Sequence, residues 1–104
     1  MPPVEIQLLG QFHLLCNSQA VVIPQARLQS LLGYLAMHKE APVLRRQIAF
    51  LFWPDSSEAH AHASLRKLVH ELRQAWPTVD DMLIIDHRLF QWRDAASVVL
   101  DALT

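Results

Sequence analysis

Apolar and polar positions alternate over residues 4–9 and again over 12–16, on either side of Gly10, and a third apolar run, 20–23, ends at Pro24. Period-two patterning bounded by turn residues such as Asn17-Ser18-Gln19 predicts a small antiparallel meander, which needs another layer to cover its apolar face. From residue 25 to residue 40 the spacing changes. Leu28, Leu31, Leu32, Leu35 and Ala36 recur at three- and four-residue intervals and form one face of a helix. Pro42 interrupts this pattern, and a shorter helix over 45–52 carries Ile48, Ala49, Leu51 and Phe52 before Pro54 stops it. Asp55-Ser56-Ser57-Glu58 then offers the capping and acidic residues that suit a helix N-terminus. The helix that follows, over about 56–75, has the longest continuous stripe: Ala61, Leu65, Leu68, Val69, Leu72 and Trp76, closed by Pro77. Finally, residues 82–85 and 89–92 flank Asp86-His87-Arg88 as a β-hairpin with a polar tip. Strands, helix, short helix, long helix and hairpin in this order predict an α+β fold.

At 104 residues with 52% apolar positions, the chain has material for one core. Residues 1–93 are expected to form that domain, and 94–104 to be a linker or the start of a following domain outside this chain. The single cysteine, Cys16, has no partner for an internal disulfide and reads as a small core residue in a reducing, cytoplasmic setting. Two glycines exclude a Walker-type loop or a dinucleotide fingerprint, since both need several glycines for close approach to phosphate. No catalytic constellation or cofactor motif is seen, so an enzyme is not expected. A metal site is disfavoured too: His60 and His62 point to different sides of a helix, and Arg66 interrupts the row of His62 and His70. No stretch approaches the roughly 20 apolar residues of a membrane span. Trp53, Trp76 and Trp92 read as core or edge packing with their indole N–H groups satisfied.

Charge changes this picture locally. The net charge is −1, so no global positive field draws a polyanion. Opposite the apolar stripe of the third helix, however, His62, Arg66, Lys67, His70 and Arg73 fall within an arc of roughly 140°, with Glu71 at its margin. A short helix, a tight turn at Trp53-Pro54-Asp55 and a second helix with a basic outer face make a helix-turn-helix pattern, whose second helix can enter the DNA major groove. Arg66 and Lys67 suit phosphates or the acceptor edge of guanine, and His62 and His70 can donate to phosphate or base edges. His87 and Arg88 at the hairpin tip would act as a wing on the adjacent backbone. An amphipathic helix also carries such a face simply as solvated surface, so the arc gains weight only from the element order around it.

That order resembles a known family. Residues 4–10, Ala26-Arg27 with the leucines after it, Ala41-Pro42-Val43 with the second helix, Phe52-Trp53-Pro54-Asp55, residues 61–65 and Leu72-Arg73 are similar in spacing to the OmpR-like winged-helix domain of the SARP/BTAD bacterial transcriptional regulators. The similarity runs over residues 4 to 93, and its most specific pieces are the Trp-Pro-Asp turn and the spacing of Leu65, Leu72 and Arg73. It implies a winged helix-turn-helix: an N-terminal antiparallel sheet, three helices and a C-terminal wing, with the third helix reading double-stranded DNA. It also implies a following helical activation domain and recruitment of RNA polymerase, with the end at Thr104 falling at the border between domains. The chain departs from the family pattern at three points. Asp86 stands where the wing carries an Arg, and the tip has no glycine. Leu44 replaces the Ser or Thr that caps the second helix, and Glu71 occupies a position that is often basic. These acids and the net charge of −1 give a rival expectation: the same fold used for protein–protein contact within a larger regulator.

Overall fold

Val4 and Ile6 point inward along β1 (Val4–Gln7), and Leu14 and Cys16 do the same along β2 (His13–Cys16), so the alternation in the sequence becomes one buried sheet face. The computed structural model describes residues 4–8 and 10–101, apart from the side chain of Ala96. Residue 9 of the expected first strand and residues 102–104 of the expected tail lie outside the described residues. β2 turns into β3 (Gln19–Val21) through Asn17 and Ser18, whose φ values of 53° and 68° mark a two-residue hairpin turn. The third strand thus begins one residue before the expected run and ends at Val21, ahead of Pro24.

α1 (Ala26–Met37) buries Leu28, Leu31, Leu32, Leu35 and Ala36, the face read from the spacing. It ends earlier than residue 40, with the His38 N–H donating to Tyr34 and Leu35 carbonyls. A two-residue strand, β4 (Val43–Leu44), precedes α2 (Arg45–Phe52), and α3 (Glu58–Ala75) buries Ala61, Leu65, Leu68, Val69 and Leu72. A single helical turn, α4 (Val79–Met82), occupies a stretch expected as connection and strand start, because Val79 is drawn fully into the core. The hairpin follows as β5 (Leu83–Ile85) and β6 (Leu89–Trp92).

Two sheets result. One has the order β4-β6-β5, so the hairpin is anchored through Val43↔Phe90 and Leu44↔Leu89 to the residues just before α2. The other has the order β3-β2-β1-β7, where β7 (Val98–Asp101) lies parallel to β1 in the register Val4↔Val98 to Gln7↔Asp101. This strand lies beyond residue 93, the expected end of the domain. Residues 98–101 belong to the sheet, with Val98 buried, Leu8 N–H donating to the Asp101 carbonyl and Lys39 Nζ to the Val98 carbonyl. The architecture is α+β, with Trp76 and Phe90 the largest fully buried side chains of its core.

Candidate nucleic-acid interface

α3 is set by its first turn and by its buried stripe. Ser57 caps it, accepting from the His60 N–H at 3.2 Å, and Glu58 lies where the helix dipole favours an acid. With Leu65, Leu68, Val69 and Leu72 packed inward, the three- and four-residue periodicity leaves Arg66, Lys67, His70 and Arg73 exposed and His62 half-buried. The turn before the helix is fixed from α1. Arg27 Nη1 donates to the Phe52 carbonyl at 2.7 Å, and its guanidinium sits over the Trp53 ring at 5.1 Å.

The hairpin tip is built without glycine. Asp86 Oδ1 accepts from the N–H groups of Arg88 and Leu89, at 2.8 and 2.9 Å, which closes the turn through an aspartate side chain. These two N–H donors hold the Asp86 carboxyl below the usual carboxylate range. The acid at this departure from the wing pattern therefore has a structural task. Its own carbonyl accepts from Arg45 Nη1 at 2.9 Å, while the Arg45 N–H donates to the Arg88 carbonyl at 2.8 Å. Leu44 offers no side-chain hydrogen bond at the start of α2, and the Arg45 N–H, one of the free donors of that first turn, is taken up by the hairpin carbonyl instead.

α3 and the tip enclose a cleft of about 500 Å³, and His62, Arg66, His70, Arg73 and His87 line it. Five predicted residues from two separate elements thus meet at one place. Lys67 and Arg88 are exposed outside the cleft lining. One member not read from the sequence, Arg45, enters from the start of α2, with its guanidinium 5.7 Å from the centre of the Phe90 ring. Burial lowers its pKa, and the charges of Arg73 and Arg66 lower it further. Positive charge is crowded here.

Two of the predicted cations have partners. Arg73 Nε and Nη2 each lie 3.0 Å from an Asp80 carboxylate oxygen, a fork-to-fork pair, so Arg73 is not the free cation that the helical arc implied. This bond raises the Arg73 pKa and lowers that of Asp80. The sequence signal was hidden because Asp80 belongs to the next helix. His62 Nε2 is 4.0 Å from Glu58 Oε2 on the same face of α3, an ion pair when the imidazole is protonated. Arg66, Lys67, His70, His87 and Arg88 remain directed to solvent or cleft.

Elsewhere, Trp92 Nε1 donates to the Leu35 carbonyl at 2.9 Å as expected, but the buried Trp76 Nε1 has no hydrogen-bond partner, contrary to expectation. Trp76 follows α3 as its C-cap residue and packs among apolar side chains of the core. Cys16 is buried. Among the described residues, no three His, Cys, Asp or Glu side chains are grouped so as to hold a metal ion, and no helix is long and apolar enough to cross a membrane. What the cleft can do chemically is hold an oxyanion: guanidinium and imidazole donors converge on it from three elements. Comparison with known protein families, with curated proteins and with solved structures gives no match to this chain.

Proposed function

We propose that this chain is a sequence-specific double-stranded DNA-binding domain of a transcriptional regulator. In this reading it is a winged helix-turn-helix in which α3 enters the major groove and the hairpin, residues 83–92, is the wing on the adjacent backbone. The observation that carries it is the meeting of basic side chains of α3 with the hairpin tip around one cleft, on a chain of net charge −1. Arg66 and Lys67 are the groups for base edges and phosphates, and His87 and Arg88 for the flanking backbone. The resemblance to SARP/BTAD regulators supports the same reading and adds a helical activation domain and RNA polymerase as further partners.

Titration of a labelled duplex by fluorescence anisotropy at several salt concentrations tests this. Binding whose log K falls linearly with log salt, by about 0.9 per phosphate contacted, is the expected result. Absence of binding to any duplex at low salt favours the second reading, a winged helix used for protein–protein contact. One observation supports that alternative: Phe50 and Leu51 of α2 are 74% and 50% exposed, with Leu44 beside them at 43%.

A further inference from the structure

We propose that the cleft between α3 and the hairpin tip is a phosphodiester-binding site that takes up protons as it fills, so that DNA binding is strengthened by mild acidity. The proposal rests on the DNA-binding reading and deepens it, by naming the group held and the condition that regulates the hold. Three arginines, Arg45, Arg66 and Arg73, and three histidines, His62, His70 and His87, line the same 500 Å³ space. The imidazole is the side chain whose charge changes near neutrality, so three of them facing one anion make its binding depend on pH. An imidazolium in contact with phosphate is bound more tightly than the neutral ring. Protonation of a cleft imidazole adds positive charge facing the bound phosphate, so binding strengthens as pH falls.

The groups around these imidazoles fit a site for a negative ion. On α3, Glu58 faces His62 at 4.0 Å, and Arg66 and Arg73 share the lining. From α4, Asp80 reaches Arg73, and its carboxylate is taken up there in a two-point contact. From the hairpin, Asp86 lines the cleft, but Oδ1 is occupied by two backbone N–H groups. From α2, Arg45 contributes a guanidinium with no carboxylate partner among the described residues; it bonds to a neutral carbonyl. The lining itself carries three guanidinium groups against the one Asp86 carboxylate, with Asp80 offsetting Arg73 from outside it, and Arg73 and Arg66 add to the lowering that burial imposes on the Arg45 pKa.

The test uses the chain as it stands, with a mixed-sequence duplex of about 30 base pairs, measured near pH 7.5 and near pH 6.0 at constant salt. The wild type is expected to bind about fourfold more tightly at the lower pH. H62Q/H70Q/H87Q should bind with less than about a twofold pH effect, and H13Q/H38Q, with both changes outside the cleft, should retain the full one. Calorimetry in buffers of differing ionisation enthalpy should show net proton uptake in the wild type only. Duplex binding with a flat pH profile, or a pH effect that survives in the triple variant, overturns the proposal and leaves the DNA reading standing. Absence of duplex binding at both pH values overturns the DNA reading, and titration with inorganic phosphate then decides the cleft alone. Joint movement of the His62, His70 and His87 ring resonances, with His13 and His38 unmoved, supports it, and no movement overturns it.

Discussion

The guanidinium of Arg73 lies against the carboxylate of Asp80 with two contacts of 3.0 Å, so the last cation of the α3 face is tied to the single turn of helix that follows it. Both side chains are close to half exposed, so solvent screens the pair, and D80N should destabilise the domain by no more than about 1 kcal/mol. The same change frees a cation, and D80N should bind duplex DNA more tightly than the wild type at low salt. Weaker binding would show that Arg73 belongs to the fold alone. The pH dependence has a definite sign. Asp80 is held below its ordinary range by Arg73, and Asp86 by two backbone N–H groups. Their stabilisation is present above the ordinary aspartate value of about 3.9 and is lost as pH falls through the folded values. Urea midpoints should therefore drop below about pH 4, and drop less in D80N than in the wild type.

Trp76 and Trp92 offer an internal comparison, since both are buried and only Trp92 has a partner for its indole N–H. Replacement by phenylalanine removes similar volume at each site. W92F also abolishes the bond to the Leu35 carbonyl, and should be the more destabilising by about 1 kcal/mol. Equal losses in urea unfolding would mean that the bond adds nothing net.

Two backbone positions should accept stabilising changes. Gly33 lies within α1, and a Cβ there would meet Leu8 methyl carbons at 3.8 Å, ordinary van der Waals contact. G33A should therefore raise stability by about 0.5–1 kcal/mol, the helix-interior cost of glycine. Ser18 has φ 68° in the β2–β3 turn, a conformation that glycine adopts without penalty, and S18G should gain a similar amount. A loss of stability for either in thermal unfolding would contradict these local geometries.

The elements with strong local period were legible from sequence, because burial of one face dictates where the apolar residues fall. The α3 stripe from Ala61 to Leu72 and the hairpin around Asp86 are of this kind. β7 was not legible: its four residues pair in parallel with β1 at the other end of the chain, and a short apolar run gives no sign of so distant a partner. For the site, His62, Arg66 and His70 of the helical arc and His87 of the hairpin tip line one cleft, while Lys67 of the same arc lies outside its lining. Arg45 and the Asp80 partner of Arg73 were missed because each comes from a neighbouring element, and only tertiary packing brings them in. Asp86 looked like a lost wing contact in the sequence, whereas its carboxylate supplies the turn chemistry that glycine would otherwise provide.

In the proposed reading α3 meets the phosphates of duplex DNA through its exposed cations, and R66A/K67A removes two of them. With the fold intact by circular dichroism, the slope of log K against log salt should shrink in magnitude by about 1 to 2 relative to the wild type, as expected for the loss of one or two phosphate contacts. A duplex bound by both proteins with the same slope would contradict the claim.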